Sequence, residues 1–579
     1  MSEQFTVVVV GLGGAGLALV RHLAGAGLHV VGVDDDPGAL ERARRQDRPG
    51  QFVSLTRSLE DVARADLVVE AVPEPAALKR RVLAAIRSRL APGTPVATTA
   101  LTTPLTALEE AAGADLFALR FLHAEGLDAV EVARGPRAGE GAAERLEEVL
   151  TAAGITAHRV LDRPGSLAPG LLLGLLNRAA WMVHDGYATA EDVDTALRLG
   201  CGWEQGPLAV LDAIGLDTAR DLLSRLARDD GHGEPAPVFD ELIAAGALGR
   251  KSGRGFHVHG PASGARRSVQ PTAPPGCRVV VVGSGTMATG IAECFVRGGF
   301  ATTLLARSED SARAAAERVE FALGRTATAA EQEPGGHAAF TAGTDRSVLG
   351  GADIVVEAVV EDLAVKRRLF AELGAVCPPH ALLATSTSSL SVAECTEPAG
   401  RPADVLGLHF FNPAPLMRLV ELVPLAGTSE HTLARARAVA ERLGKQTVTC
   451  GDRAGFIVNA LLFPYLNQAL ELLDADETTA AALDAAVKSV GGQPLGPVRL
   501  LDTVGADVAL EVQRRLQGDP RLRAPRPAAL LRELVEAGHL GRKTPGRGRW
   551  GTRASPCTSS SSSPATDWSS PTWRRCAPG

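Results

Sequence analysis

The stretch VVVVGLGGAG at residues 7–16 recurs as VVVVGSGTMA at residues 279–288. Four consecutive valines are typical of a strand that is buried on both faces, and the glycines after them predict a tight turn into a helix. Such a turn lets backbone N–H groups approach a pyrophosphate at the helix N-terminus. Each stretch therefore predicts the first strand, turn and helix of a dinucleotide-binding domain.

Working outward from these turns, further landmarks recur in the same order at a nearly constant offset, which indicates a tandem duplication. We call residues 1–260 copy one and residues 277–551 copy two. The recurring landmarks after the glycine turn are ADLVVEAVPE at 65–74 with ADIVVEAVVE at 352–361, DRPGSLAP at 162–169 with DRAGFIVN at 452–459, the segments 194–217 and 484–507, and GRKSGRG at 249–255 with GRKTPGRG from 541.

Each copy divides into an α/β part and an all-α part. Short Val/Ile/Leu runs alternate with helical patterns in the first part, as in a parallel sheet. The second part shows Ala/Leu/Arg periodicity broken by Gly-Pro turns, which favours helices alone. The expected segments are a degenerate Rossmann-like domain at 1–162, a helical domain at 163–260, a linker at 261–276, a Rossmann domain at 277–452, a helical domain at 453–551 and a disordered, Ser-rich tail at 552–579. We attribute the tail to a change of reading frame.

The composition narrows the class of protein. The 579 residues carry a formal net charge of −7, which does not indicate binding to nucleic acid or to an anionic membrane. No apolar run is long enough to span a bilayer, and no secretory signal opens the sequence, so we expect a cytoplasmic protein. The eight cysteines show no metal-ligand spacing and are expected to be reduced thiols, with no metal site.

The second strand of each copy bears on the choice of cofactor. In copy one, Asp34 lies 23 residues after Gly11, close to the spacing of an acid that binds a ribose 2′-hydroxyl. The same count from Gly283 reaches Ala306, and Arg307 follows. Because an arginine can pair with a 2′-phosphate, this favours NADP over NAD in copy two. In the alternative, Arg307 is a solvated surface residue and NAD is used.

Four segments of copy two together resemble the 3-hydroxyacyl-CoA dehydrogenase family. The resemblance covers nearly all of copy two and, more weakly, copy one. It depends chiefly on the SSL motif and the HFFNP motif that follows it. The segments are VVEDLAVKRRLF at 359–370, ATSTSSLS at 384–391, GLHFFNPAPLMRLVEL at 407–422 and AGFIVN at 454–459.

The resemblance implies a role for each matching residue. His409 corresponds to the catalytic base, a role that suits a side chain titrating near neutral pH. Glu421 corresponds to the carboxylate that orients it, and Ser388 and Asn459 to the groups that hold the substrate oxygen. Ser386 stands where the family usually has Asn. The cofactor-binding residues expected are Gly283, Gly285, Ala288, Arg307, Glu361, Lys366, Asn412 and Lys543, together with Ser388.

The implied reaction is hydride transfer between NAD(P) and C3 of a short-chain (3S)-3-hydroxyacyl-CoA. Two alternatives remain at this stage. One is a dehydrogenase of a 3-hydroxy acid that is free or bound to an acyl carrier protein. The other is a nucleotide-binding pseudoenzyme.

Copy one lacks these side chains. Arg120 replaces the base, and a guanidinium has N–H donors but no acceptor. Pro169 stands where Asn459 has its counterpart, Leu101 to Thr103 replace the serine segment, and Glu131 survives without a base. On a strand, His123 would project to the opposite face.

Copy one is also about fifteen residues shorter between Asp34 and Ala65, in a region that contacts CoA in the family. Helical domains of the family pair across a dimer interface. We therefore expect the two helical domains to pair within the chain as a pseudo-dimer. Association into a homo-oligomer stays open.

Overall fold

The computed structural model describes residues 5–46, 53–122, 127–229, 233–259, 276–326, 339–475, 477–519 and 521–544. The predicted linker, apart from Gly276, and the predicted disordered tail lie outside the described residues. His123, Cys557 and Cys576 lie outside them as well.

Copy one begins with an α/β domain and continues with helices. Its α/β elements are β1 (Thr6–Val10), α1 (Gly14–Gly25), β2 (His29–Val33), α2 (Pro37–Gln46), β3 (Val53–Thr56), β4 (Leu67–Glu70), α3 (Ala76–Arg87), β5 (Val96–Thr98), α4 (Glu109–Ala112), β6 (Leu116–Arg120), β7 (Ala129–Arg134), α5 (Glu140–Ala152) and β8 (Thr156–Val160). The helices that follow are α6 (Ala168–His184), α7 (Ala190–Cys201), α8 (Pro207–Ile214), α9 (Leu216–Asp229) and α10 (Val238–Ala244).

Copy two repeats this order. Its α/β elements are β9 (Arg278–Val282), α11 (Thr286–Arg297), β10 (Ala301–Leu305), α12 (Glu309–Thr326), β11 (Phe340–Gly343), β12 (Ile354–Glu357), α13 (Leu363–Val376), β13 (Leu382–Thr385), α14 (Val392–Thr396), β14 (Val405–Phe410), β15 (Leu419–Pro424), α15 (Glu430–Arg442) and β16 (Gln446–Thr449). The helices that follow are α16 (Val458–Asp474), α17 (Ala480–Ser489), α18 (Pro497–Val504), α19 (Ala506–Gly518) and α20 (Ala529–Glu536).

Each α/β domain is built on one eight-stranded sheet. The strand orders are β3-β2-β1-β4-β5-β6-β7-β8 and β11-β10-β9-β12-β13-β14-β15-β16. Neighbouring strands are parallel except for β6 with β7 and β14 with β15. The valines of β1 and β9 are almost fully buried, as expected for central strands. The predicted fold class, two Rossmann-like domains each followed by a helical domain, is confirmed.

The shortening of copy one falls partly in the helix after its second strand. Helix α2 has 10 residues, whereas α12 at the same place in copy two has 18. The rest of the difference lies in segments outside the described residues. Among the described residues, this helix is therefore eight residues shorter in copy one.

The two helical domains share one hydrophobic core within the chain. Helix α6 packs against α16, and buried side chains of both copies form a single cluster. Each copy also supports the sheet of the other, since α7 packs on β15 and β16 while α17 packs on β7 and β8. Ion pairs at equivalent places join Arg163 to Glu477 and Arg453 to Asp185. The expected intrachain pseudo-dimer is therefore present.

A fragment that begins at residue 276 should not remain a stable monomer. Without copy one, the apolar face of α16 loses its partner α6, and exposed apolar patches of this size drive association. We expect the fragment to dimerise or aggregate at micromolar concentration in sedimentation velocity. The full chain at the same concentration is the control. A monodisperse, folded, monomeric fragment would contradict this prediction.

Candidate active site

The glycine turn of copy two provides an open approach to the N-terminus of α11. Gly283 has φ +136°, and a Cβ there would lie 2.4 Å from the Ala358 carbonyl oxygen, so the turn requires glycine. At Gly285 nothing lies within 4 Å of a Cβ position. Gly285 caps α11 without a side-chain hydrogen bond, which leaves the first N–H groups of the helix available to an anion. This cradle fits the pyrophosphate of a dinucleotide.

The glycine turns of the two copies are not equivalent. In copy one, a Cβ on Gly16 would lie 1.8 Å from the Gly11 carbonyl oxygen, whereas copy two accommodates Ala288 at this place. Asp34 accepts a 2.7 Å hydrogen bond from the Leu12 amide of its own turn. In copy two Ala306 is buried and Arg307 is exposed. Another arginine, Arg318 of α12, donates to the Ser284 carbonyl oxygen at 2.6 Å.

His409 and Glu421 face each other across the antiparallel pair β14 and β15. His409 Nδ1 lies 2.6 Å from Glu421 Oε2, and both side chains are buried. The rings of Phe411 and Phe456 lie 4.6 and 5.3 Å from the imidazole centroid and hold its plane. The bond at Nδ1 leaves Nε2 as the ring nitrogen that can exchange a proton with a substrate.

The second oxygen of Glu421 is anchored to the helical domain. Glu421 Oε1 accepts the amide N–H groups of Ile457 and Val458, each at 3.0 Å. Phe456 adopts a left-handed conformation (φ +48°) just before α16, and this turn aims both amides at the carboxylate. Asn459 follows in the first turn of α16 and is half-buried. The turn therefore brings Asn459 close to the His409–Glu421 pair.

The Ser388 segment leaves β13 at the same edge of the sheet as His409, because β13 and β14 are parallel neighbours. Its polar groups converge on Glu361, which accepts hydrogen bonds from Thr387 at 2.7 Å and from the Ser388 amide at 3.0 Å and hydroxyl at 3.3 Å. Ser389 also accepts a 2.8 Å hydrogen bond from Arg515 of α19. Glu361 and Arg515 therefore fix this segment between the two domains.

Lys366 lies beneath the site rather than in its opening. It is 1% exposed, and its Nζ lies 2.6 Å from Glu357 Oε1 and 3.4 Å from Glu361 Oε2. Copy one has the same buried network, in which Lys79 pairs with Glu70. Because the network persists in a copy that lacks the base, its first role is structural. A contact of Lys366 with a cofactor stays a prediction, and its salt bridge with Glu361 is what links it to the opening of the site.

The two remaining predicted cofactor residues lie in different surroundings. Asn412 is exposed directly after β14, where the following loop packs against Gly290 of α11 and so lies beside the glycine turn. Lys543 instead bonds Asp507 at 2.9 Å. Its segment contacts α18, and copy one forms the same type of pair. Lys543 thus forms a structural ion pair within the helical domain.

Arg120 fills the corresponding site of copy one. It faces Glu131 across β6 and β7, in the register of His409 and Glu421, and is fully buried. Its guanidinium donates to the carbonyl oxygens of Ala100 and Arg163 at 3.0 Å and pairs with Asp162 at 2.5 Å. Burial raises the pKa of the Glu131 carboxyl, although the charge of Arg120 opposes that shift. The side chain that replaced the base therefore occupies its pocket.

Sequence reasoning missed Arg515, Arg318 and the partners of Lys366. Of these, only the partners of Lys366 could have been found from the sequence. Glu70, Lys79 and Thr98 recur as Glu357, Lys366 and Thr385 at one offset of 287 residues. A triad kept in a copy without the base indicates structure rather than catalysis.

Other kinds of site were sought in the part of the chain that the structure describes. Within it, no group of His, Cys, Asp or Glu side chains has the arrangement of a metal site. No helix there combines the length and hydropathy needed to cross a membrane. The six cysteines described are free thiols.

Glu361 should stabilise the folded chain in a pH-dependent way. Burial alone would raise the pKa of its carboxyl, but the charge of Lys366 and the hydrogen bonds from Thr387 and Ser388 lower that pKa from 4.5 to about 2. The stabilisation is therefore complete above pH 4.5 and disappears as the pH falls towards 2. Glu361→Gln should lower the free energy of unfolding at pH 7 by about 1–2 kcal/mol, with a smaller effect at pH 3.

The measurement is chemical unfolding of wild type and variant at both pH values. Glu397→Gln is the control, because Glu397 is exposed and pairs with Arg367 at the surface. An equal effect of Glu361→Gln at pH 7 and pH 3 would contradict the prediction.

Comparison with known proteins agrees with this geometry. The model of the 3-hydroxyacyl-CoA dehydrogenase NAD binding domain matches residues 45–162 and 278–453. The model of the C-terminal domain of the same family matches residues 168–259 and 455–549. Each domain thus occurs twice.

Individual relatives point the same way. A 3-hydroxybutyryl-CoA dehydrogenase of Mycobacterium tuberculosis is 42% identical over 279 residues, 47% of this chain and 96% of that protein. The mitochondrial hydroxyacyl-coenzyme A dehydrogenase of Sus scrofa is 36% identical over 279 residues, 46% of this chain and 88% of that protein. The crystal structure of 3-hydroxybutyryl-CoA dehydrogenase from Escherichia coli K12 matches with a TM-score of 0.60 at 19% identity, over 93% of this chain and 99% of that one, and so shares the fold. The chain is an oxidoreductase that belongs to the 3-hydroxyacyl-CoA dehydrogenase family, and it carries both domains of that family in duplicate.

Proposed function

We propose that copy two interconverts a short-chain 3-hydroxyacyl-CoA and its 3-oxoacyl-CoA, with His409 as the general base. The observation that carries the proposal is the 2.6 Å contact of His409 Nδ1 with a buried carboxylate that is itself held by two backbone amides. A base–orienter pair of this kind suits removal of the proton from a secondary alcohol. The short acyl chain is taken from the Mycobacterium tuberculosis relative, whose name specifies 3-hydroxybutyryl-CoA.

Each side chain has a defined part in this proposal. In the oxidation direction, Nε2 of His409 takes the hydroxyl proton, and Glu421 stabilises the imidazolium that forms. Ser388 and Asn459 hold the substrate oxygen and stabilise charge that develops on it. The glycine turn at Gly283 and Gly285 would hold a nicotinamide cofactor, which would supply the hydride acceptor for C3. In the reverse direction His409 returns the proton to the oxygen.

The intact His409–Glu421 pair also separates this proposal from a pseudoenzyme. Copy one differs at the same places of the same fold, with an arginine in place of His409 and a proline in place of Asn459. Copy two shows neither change.

For the cofactor, the family indicates NAD(H). We further propose that copy two also accepts NADP(H). Support comes from Ala306, which removes the acid that would repel a 2′-phosphate, and from the exposed Arg307 beside it. A second cation, Arg318, lies against the glycine turn.

His409→Gln should reduce kcat for acetoacetyl-CoA reduction by NADH by about 100-fold to 10,000-fold, because the proton donor is lost. Steady-state absorbance at 340 nm measures this. His380→Gln is the matched control, since His380 is exposed and its imidazole bonds Asp353. Wild-type activity of the His409 variant, with NADH or NADPH, would overturn the proposed function.

Ala306→Asp should lower kcat/KM for NADPH at least tenfold relative to NADH, because it places in copy two the acid that copy one has as Asp34. Arg307→Ala should act in the same direction. Arg313→Ala is the control, since Arg313 is exposed on α12 and pairs with Asp310. A wild-type ratio of the two cofactors in both test variants would contradict the proposed role of Ala306 and Arg307 in accepting NADP(H).

A further inference from the structure

Copy one reaches the catalytic pair of copy two through the end of helix α7. This helix packs on β15 and β16 and against α16 of copy two. At its last turn, a Cβ on Gly200 would lie 2.9 Å from Val458 Cγ2 and 3.1 Å from Leu419 Cδ2. Both neighbours belong to the support of Glu421, because Leu419 lies two residues before it on β15 and the Val458 amide donates to its Oε1.

The next residue is Cys201, the last residue of α7. Burial and, to a smaller extent, the negative charge of Glu421 raise the pKa of the Cys201 thiol to about 12. The thiol is therefore neutral at physiological pH. The contact surface of α7 at this point consists of a bare backbone followed by a small side chain.

The opposite interface differs at the equivalent positions. At the offset of 290 residues, Val490 of copy two corresponds to Gly200, and Gly491 corresponds to Cys201. Helix α17 packs on β7 and β8, which carry Glu131 but have Arg120 in place of a base. A valine is thus accommodated beside the copy without a base, whereas glycine stands beside the copy with one.

We propose that the Gly200–Cys201 end of α7 is a positioning element for the His409–Glu421 pair, so that copy one completes the active site of copy two. Because Gly200 has no side chain, Val458 and Leu419 can pack in the positions that bring the Ile457 and Val458 amides to Glu421. A valine in a helix has one strongly preferred rotamer. A methyl group at position 200 therefore displaces the backbone of Val458 rather than its side chain alone. Glu421 and then His409 follow that displacement. The inference rests on the proposed role of His409.

The test enlarges one side chain at each of the two interfaces between the copies, in the full-length chain. Gly200→Ala should lower kcat about threefold to tenfold and Gly200→Val about 100-fold, with KM for acetoacetyl-CoA and for NADH within about twofold of wild type. In the oxidation direction, the midpoint of the pH–rate profile should move to lower pH, because a displaced Glu421 stabilises the imidazolium less. Val490→Ile, the matched addition beside Arg120 and Glu131, should leave kcat and the profile unchanged.

Further variants separate positioning from general damage. Alanine favours a helix more than glycine does, so Gly200→Ala should keep the wild-type thermal midpoint and circular dichroism. Leu419→Ala in the Gly200→Val background should restore part of kcat by making room. The proposal is overturned if both Gly200 variants keep the wild-type kcat and pH profile, if their kcat falls only in step with loss of folded protein, or if Val490→Ile has the same effect. Activity retained by His409→Gln would instead overturn the proposed function, and the two failures are therefore distinguishable.

Discussion

The carboxylate of Glu421 joins the parts of this active site. One oxygen orients His409 from the neighbouring strand, and the other accepts two amides at the start of α16. A buried carboxylate is stable only when its acceptor capacity is met, so the sheet and the helical domain must meet at this point. The orientation of the base is therefore fixed by the packing between domains and not by the strand alone.

The same acceptor arrangement survives in copy one without its catalytic partner. Glu131 still receives the Leu167 and Ala168 amides, and Ser166 keeps the left-handed turn that Phe456 has in copy two. The carboxylate therefore serves two purposes. It bonds the imidazole where a histidine is present, and it joins sheet to helix in either case. Copy one has Arg120 in place of His409 but keeps its fold, and with it the surface against which the helices of copy two pack.

Much of this architecture could be predicted from sequence because local patterns determine it. The valine strands, the glycine turns and the repeated landmarks predicted both sheets and both helical domains, whereas the pairing of the helical domains was predicted from the family resemblance. The proposed base and its carboxylate also came from that resemblance, through HFFNP and the spacing to Glu421, and the structure brings the two side chains together. The place of Lys366 was missed, because a lysine on a helix looks the same in a single stretch of sequence whether it meets solvent or a buried carboxylate such as Glu357, and only the recurrence of the triad in copy one signals its burial. The contact of Gly200 with Val458 was equally invisible, since it joins residues more than 250 positions apart and involves no side chain at one end.

The buried pair of Arg120 and Asp162 makes the divergence of copy one hard to reverse. The residue that corresponds to Asp162 in copy two, Asp452, caps α14 through the Val392 and Ala393 amides. In copy one, Asp162 instead neutralises the arginine while still accepting the Leu105 amide. A histidine restored at position 120 would leave that carboxylate without its cation and would still face Pro169 where an amide is needed. The interior of copy one thus opposes a return to histidine at position 120, because that change alone would leave a largely buried carboxylate unpaired.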